Sequence, residues 1–173
     1  MTRETGNTGE PERHLFQVDY LLREHIPAAL EVAKMGTGRF WEDSDFYKLL
    51  KDYPEVLRID IYPEQELGGV LLCPPVDEAQ RYLNESGEFP IGFLMVAPKW
   101  QKTRAGLNFR DWLWIHINRH AKAMYVIVPA NALEELRFLK SIGFEVPIDP
   151  ETGKPTIITK EGKEHYKMVY DGT

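Results

Sequence analysis

The apolar positions of this chain alternate between strand-like runs and helical stripes from Leu15 to Tyr170. Leu15 to Leu21 alternates loosely and reads as a first strand. From Arg23 to Lys34 the apolar residues Ile26, Ala29, Leu30 and Ala33 fall three or four apart, the spacing of a helix. Met35-Gly36-Thr37-Gly38 stops it. A second helix is predicted over Ser44 to Asp52, with Ser44 as its N-cap and Phe46, Leu49 and Leu50 as its apolar face. Val56 to Tyr62 alternates strictly, so Leu57, Ile59 and Ile61 form the buried face of a strand. Gly69 to Cys73 is the return strand of a hairpin, closed by Pro74-Pro75. Val76 to Gly87 is polar, with room for a short helix at Glu78 to Leu83.

A continuous apolar run, Pro90 to Ala97, follows and ends at Pro98. After a basic turn comes a helical stripe of Leu107, Phe109, Trp112, Leu113 and Ile117. Met124 to Val128 is again nearly all apolar, as in a strand covered on both faces. Leu133, Leu136, Leu139 and Ile142 predict an inward stripe on a helix from Ala132 to Ile142, stopped by Gly143. Phe144 to Val146 starts another strand, Pro147 to Thr156 is a turn-rich loop, Ile157-Ile158 is a short strand, and His165 to Tyr170 is the last. The order is β-α-α-β-β-β-α-β-α-β-β, one domain over residues 14–173 after a polar, disordered tail at 1–13.

The strand, basic turn and helix start between Phe89 and His120 carry the first chemical signal. The first turn of a helix leaves backbone N–H groups unpaired, and its dipole favours negative charge there. A phosphate at that point meets backbone donors, with Lys102 and Arg104 beside it. Local charge agrees. The chain carries −6 overall, yet Lys99, Lys102, Arg104, Arg110, Arg119 and Lys122 stand against Asp111 alone across this stretch. An acidic protein with one positive strip suits an anionic ligand and argues against a general nucleic-acid binder.

Composition adds little else. A length of 173 residues with 43% hydrophobic and 28% charged residues is ordinary for one globular domain. The single cysteine, Cys73, rules out an intrachain disulfide and fits a reducing, cytoplasmic setting; it reads as a small core residue. Neither a signal peptide nor a membrane-crossing run is evident. His116 and His120 lie four apart on the predicted helix, but no third ligand accompanies them, and no metal site is expected.

Val96-Ala97-Pro98 followed by Gln101-Lys102-Thr103-Arg104-Ala105-Gly106 resembles the acyl-CoA pyrophosphate loop of the GNAT superfamily of N-acyltransferases. There a strand ends in Val-x-Pro and Arg/Gln-x-x-Gly-x-Gly/Ala opens a helix. The Pro, the Gln and the last Gly fall in register, and Arg104 stands at the middle Gly. A second likeness is Asn131, followed by Arg137-Phe138-Leu139 and then Gly143-Phe144.

The resemblance implies an α+β, three-layer fold with a mixed central sheet of about seven strands flanked by about four helices. It implies strands 91–97 and 124–128 splayed apart, to admit the pantetheine arm of acetyl-CoA or another acyl-CoA. Leu94 and Val96 would meet the cofactor through their backbones, Gln101, Lys102, Thr103, Arg104, Ala105 and Gly106 would hold its pyrophosphate, and Asn131 and Phe138 would add contacts. The activity implied is acyl transfer to an amine of a small molecule or protein, in a monomer or homodimer. Two departures bear on catalysis. The position of the family's general-acid tyrosine holds Leu139, and the strand before Asn131 offers only Tyr125 as a catalytic side chain. Asp60, Glu88 and Cys73 are other side chains within reach of such a cleft. The alternative is therefore a catalytically degenerate scaffold that binds and modulates a partner protein, through Phe40 and Trp41, the 76–87 insertion or the C-terminal hairpin.

Overall fold

The computed structural model describes residues 14–37 and 42–173. In chain order the elements are β1 (Leu15–Tyr20), α1 (Ile26–Thr37), α2 (Asp43–Asp52), β2 (Glu55–Tyr62), β3 (Glu66–Cys73), β4 (Glu88–Ile91), β5 (Phe93–Val96), α3 (Ala105–Ile117), β6 (Ala123–Pro129), α4 (Leu133–Ser141), β7 (Ile157–Lys160) and β8 (Lys163–Tyr170). Short 3-10 turns sit at Arg23–His25, Val76–Arg81 and Pro98–Trp100.

The expected single sheet is two four-stranded sheets, ordered β1-β2-β3-β5 and β4-β6-β8-β7. They share one stretch of chain, because the apolar run after Glu88 divides at Gly92. Its first half, β4, runs parallel to β6 with Glu88 opposite Ala123 and Ile91 opposite Val126. Its second half, β5, runs antiparallel to β3 with Phe93 opposite Leu72 and Val96 opposite Gly69. The Gly92 N–H also donates to the Leu72 carbonyl at 2.8 Å, so Gly92 and Phe93 together oppose one residue. That is a β-bulge, which bends the strand and lets its two halves go to different partners.

Side-chain alternation on β5 builds the layers. Met95 faces α1, where a Cβ on Gly36 would stand 2.4 Å from its side chain. Val96 pairs with Gly69, whose own side faces Phe109 of α3. So α1 covers one face and α3 the other. Helix α3 also reaches the second sheet: Trp114 packs edge-on to Tyr170 at 5.6 Å, and Arg110 lies 4.5 Å over the same ring while donating to the Ile142 carbonyl at 2.7 Å. One apolar cluster runs through both sheets, from Leu57, Ile59 and Ile61 to Met124, Val126 and Met168.

Several local expectations change. The N-cap of α2 is Glu42, which forms a reciprocal capping box with Asp45, and Ser44 lies inside the helix. Helix α3 stops at Ile117, so His120 falls in the turn beyond and cannot share a helix face with His116. The His116 ring instead stacks on Trp112 at 4.0 Å. Leu133 is 64% exposed and leaves the inward stripe of α4. The strand expected at Phe144 to Val146 shrinks to one bridge, Glu145 to Val169, because Pro147 interrupts it and β7 takes the other half of the β8 edge. Gly143 does end α4, at φ +98, with the Phe144 N–H returning to Leu139. Phe40, Trp41 and the tail at 1–13 lie outside the described residues.

Candidate active site

The division at Gly92 leaves a wedge between β5 and the end of β6. Past Ile91 and Val126 the parallel ladder has no further pair. Backbone alternation then decides which groups face the gap. The Ala97 N–H donates to the Gly68 carbonyl at 2.8 Å, so residues 93, 95 and 97 bond to β3. Leu94 and Val96 therefore turn their N–H and C=O groups toward the wedge. Across it, Ala130 bonds to Glu164 at 2.9 Å, which by the same alternation turns Ile127 and Pro129 to the gap. The two edges are not equal. Pro129 has no N–H, and the Val96 carbonyl is already taken by the Gln101 side-chain amide at 2.9 Å. On the β5 edge the open donors are the Leu94 and Val96 N–H groups.

At its mouth the wedge meets the turn before α3. The 3-10 turn Pro98–Trp100 and the Thr103 hydroxyl shape it. That hydroxyl donates to the Trp100 carbonyl at 2.6 Å and accepts from the Ala105 N–H at 3.2 Å. Among the described residues, the backbone N–H groups of Lys102, Arg104, Gly106 and Leu107 have no protein acceptor. Unpaired N–H groups at a helix start favour a negative charge beside them. Arg104 holds φ −81 and ψ 5, the bridge region beside the helical one, so its negative φ makes no demand for a glycine there. Arg104 is exposed and does not line the adjoining cavity. Gly106 is needed for closeness: a Cβ there would stand 3.0 Å from both Phe138 and Ile142.

That cavity, about 210 Å³, lies between α1, the turn and α4. It is lined by Gly36, Gln101 and Lys102 and by Glu134, Arg137, Phe138 and Ser141, one face of α4 at helical spacing. Lys102 and Arg137 bring positive charge to it from two sides. The sequence does not single out Arg137 as a site residue, although its spacing from Glu134 and Ser141 places it on that face. Phe138, expected to touch a cofactor, is 2% exposed and supports Gly106 from beneath. Asn131 is exposed at the turn before α4.

The catalytic candidates separate clearly. Leu139 is fully buried and belongs to the core. Cys73 is fully buried, and burial pushes its thiol well up, so it is no nucleophile. Asp60 is tied to Arg58 at 2.9 Å. Glu88 accepts from Lys167 at 2.6 Å and from Asn84 at 2.8 Å. Burial alone would raise its carboxyl, but these two bonds outweigh that and hold it below the usual carboxylate range. Tyr125 pairs with Pro90 in the closed part of the ladder, with Lys167 5.0 Å from its ring centre. Among the described residues no group of three or more His, Cys, Asp or Glu could hold a metal ion, and no helix is long and apolar enough to cross a membrane.

No family model and no curated protein sequence matches the chain. Solved structures do match. Ard1 from Thermoplasma volcanium superimposes with a TM-score of 0.62 at 12% identity, over 89% of this chain and 95% of that one. The ribosomal-protein-S18-alanine N-acetyltransferase from Escherichia coli gives 0.59 at 16% identity, over 90% and 93%. A GNAT family acetyltransferase from Elizabethkingia anophelis, solved with acetyl-CoA bound, gives 0.57 at 13% identity, over 90% and 97%. The chain has the GNAT fold. At these identities the likeness is one of fold alone.

Proposed function

We propose that the protein is an acyl-CoA-dependent N-acyltransferase, passing an acetyl or related acyl group from the CoA thioester to an amine of a small molecule or protein. The observation that carries this is the strand divided at Gly92, whose open edge leads straight to unpaired N–H groups before α3. A linear donor with an anionic end matches that layout. Leu94 and Val96 offer N–H groups to the amides of its arm. Lys102, Arg104 and Gly106 offer N–H groups to its diphosphate, with the Lys102 and Arg137 side chains adding charge. Holding thioester and amine together supplies much of the rate without a dedicated acid–base pair. The structural neighbour solved with acetyl-CoA supports the choice of donor.

Leu139 in the core favours a second reading, a GNAT-fold scaffold that binds and modulates a partner protein. One titration separates the two. Acetyl-CoA at one hundred times its dissociation constant adds about 2.7 kcal/mol of stability, readable as a higher melting temperature. Absence of any shift at millimolar acetyl-CoA removes the acyltransferase reading. Binding without release of free thiol across panels of amines, amino acids and peptides favours the scaffold.

A further inference from the structure

We propose that the Tyr53 hydroxyl is the proton donor to the leaving thiolate, in place of the tyrosine that Leu139 displaces from α4. This rests on the acyltransferase reading above. It starts from where the reactive end of the donor must lie. With the diphosphate at residues 102–106, the arm runs back along β5 toward Gly92. The span from Gly92 to Pro98, at about 3.3 Å per residue, is about 20 Å, the reach of a pantetheine arm. The thioester therefore arrives at the closed end of the wedge, beside the bulge.

One tyrosine ring is clamped on that spot. A Cβ built on Gly92 would stand 2.3 Å from Tyr53 Cδ2 and 2.4 Å from its Cγ, so the ring lies directly against the glycine. Tyr53 caps the C-terminus of α2, its N–H bonded to the Leu49 carbonyl at 2.8 Å, and Pro54 follows. The ring is thus held from its own backbone as well. Among the described residues its hydroxyl has no protein partner, so the proton is available. Its neighbours are less fit. Glu88 is kept ionised by Lys167 and Asn84, and Tyr125 lies back in the paired ladder. Burial, with Tyr125 and Asp52 adding to it, raises the Tyr53 phenol above its ordinary value and keeps it protonated at neutral pH.

The step balances without a further reagent. The neutral amine nitrogen bonds to the acyl carbon, and the carbon–sulfur bond breaks with its electron pair going to sulfur. Tyr53 gives its proton to that sulfur. The phenolate then takes the surplus proton from the acylated nitrogen, leaving amide, free thiol and the original phenol.

The test labels the tyrosine ring carbons with ¹³C and assigns the Tyr53 resonance by its loss in Tyr53→Phe, which keeps the ring on Gly92. CoA is expected to shift that resonance, and desulfo-CoA, which lacks the thiol, is expected to bind with a distinctly smaller shift. With hydroxylamine as a surrogate acceptor for acetyl-CoA, Tyr53→Phe is expected to lower kcat about 100-fold with KM unchanged and to remove the fall in rate at high pH. Tyr125→Phe is expected to stay near wild type. CoA that binds while leaving the Tyr53 resonance unmoved overturns this proposal alone. So does a rate loss in Tyr125→Phe with none in Tyr53→Phe. No binding of CoA or acetyl-CoA at all overturns the donor reading and this one with it.

Discussion

Replacing Gly92 by alanine tests the packing at the branch point. Gly92 has no left-handed φ, so an alanine meets no backbone penalty there. The cost is steric and falls on one neighbour. The new methyl would lie 2.3, 2.4 and 2.8 Å from Tyr53 Cδ2, Cγ and Cε2, each closer than real carbon atoms approach. Either the Tyr53 ring is driven off the sheet or the bulge opens. Overpacking of this kind costs about 1–3 kcal/mol. In a chain of 173 residues each kcal/mol moves Tm by about 3 °C. The clash has a single source, so it should vanish with the ring. In a Tyr53→Ala background, Gly92→Ala should cost under about 0.5 kcal/mol. Urea denaturation of the four proteins completes the cycle, with m-values unchanged. Equal destabilisation by Gly92→Ala with and without the Tyr53 ring would refute the placement of that ring on the bulge.

Lys102→Ala and Arg137→Ala should each weaken acetyl-CoA binding about tenfold, near 1.4 kcal/mol, with a shallower salt dependence, by calorimetric titration; unchanged affinity in both would move the anion elsewhere. Lys167→Ala should cost about 1 kcal/mol at neutral pH, since it strips a bond from the half-buried Glu88 carboxylate. The Glu88 carboxyl is depressed in the folded state, so its contribution is present above the unfolded carboxylate value, about pH 4.3, and is lost as pH falls through the lower folded value. The gap between Lys167→Ala and wild type should therefore close below about pH 4, and a gap constant from pH 3 to 8 would contradict it. Cys73, fully buried with its thiol pushed up, should stay unmodified by a thiol reagent until the protein unfolds; rapid native labelling would contradict that burial.

How much of this was legible in the chain depends on which atoms carry it. Leu57, Ile59 and Ile61 announce β2 because one face of a half-buried strand must alternate. The loop from Gln101 to Gly106 could be read because Pro98, Gln101 and Gly106 stand at fixed spacing after an apolar run, and how Arg104 fits among them became clear only with its φ. The bulge was hidden: a glycine in an apolar run has many causes, and only the pairing of Ile91 with Val126 and Phe93 with Leu72 shows that the strand changes partners there. Tyr53 was hidden for a different reason. It sits just past a short helix and meets Gly92, thirty-nine positions on, through tertiary packing that no local period encodes. His120 misled because helix periodicity ran on past Ile117 in the sequence while the backbone turned.

Amide hydrogen exchange, residue by residue, with and without acetyl-CoA reaches the central claim most directly. Slowed exchange is expected at Leu94 and Val96 on the open edge, at Lys102 and Arg104 before α3 and at Gly106 in its first turn, with Met95, already bonded to β3, little changed. Saturating acetyl-CoA that leaves those five amides exchanging at their free rate would contradict it.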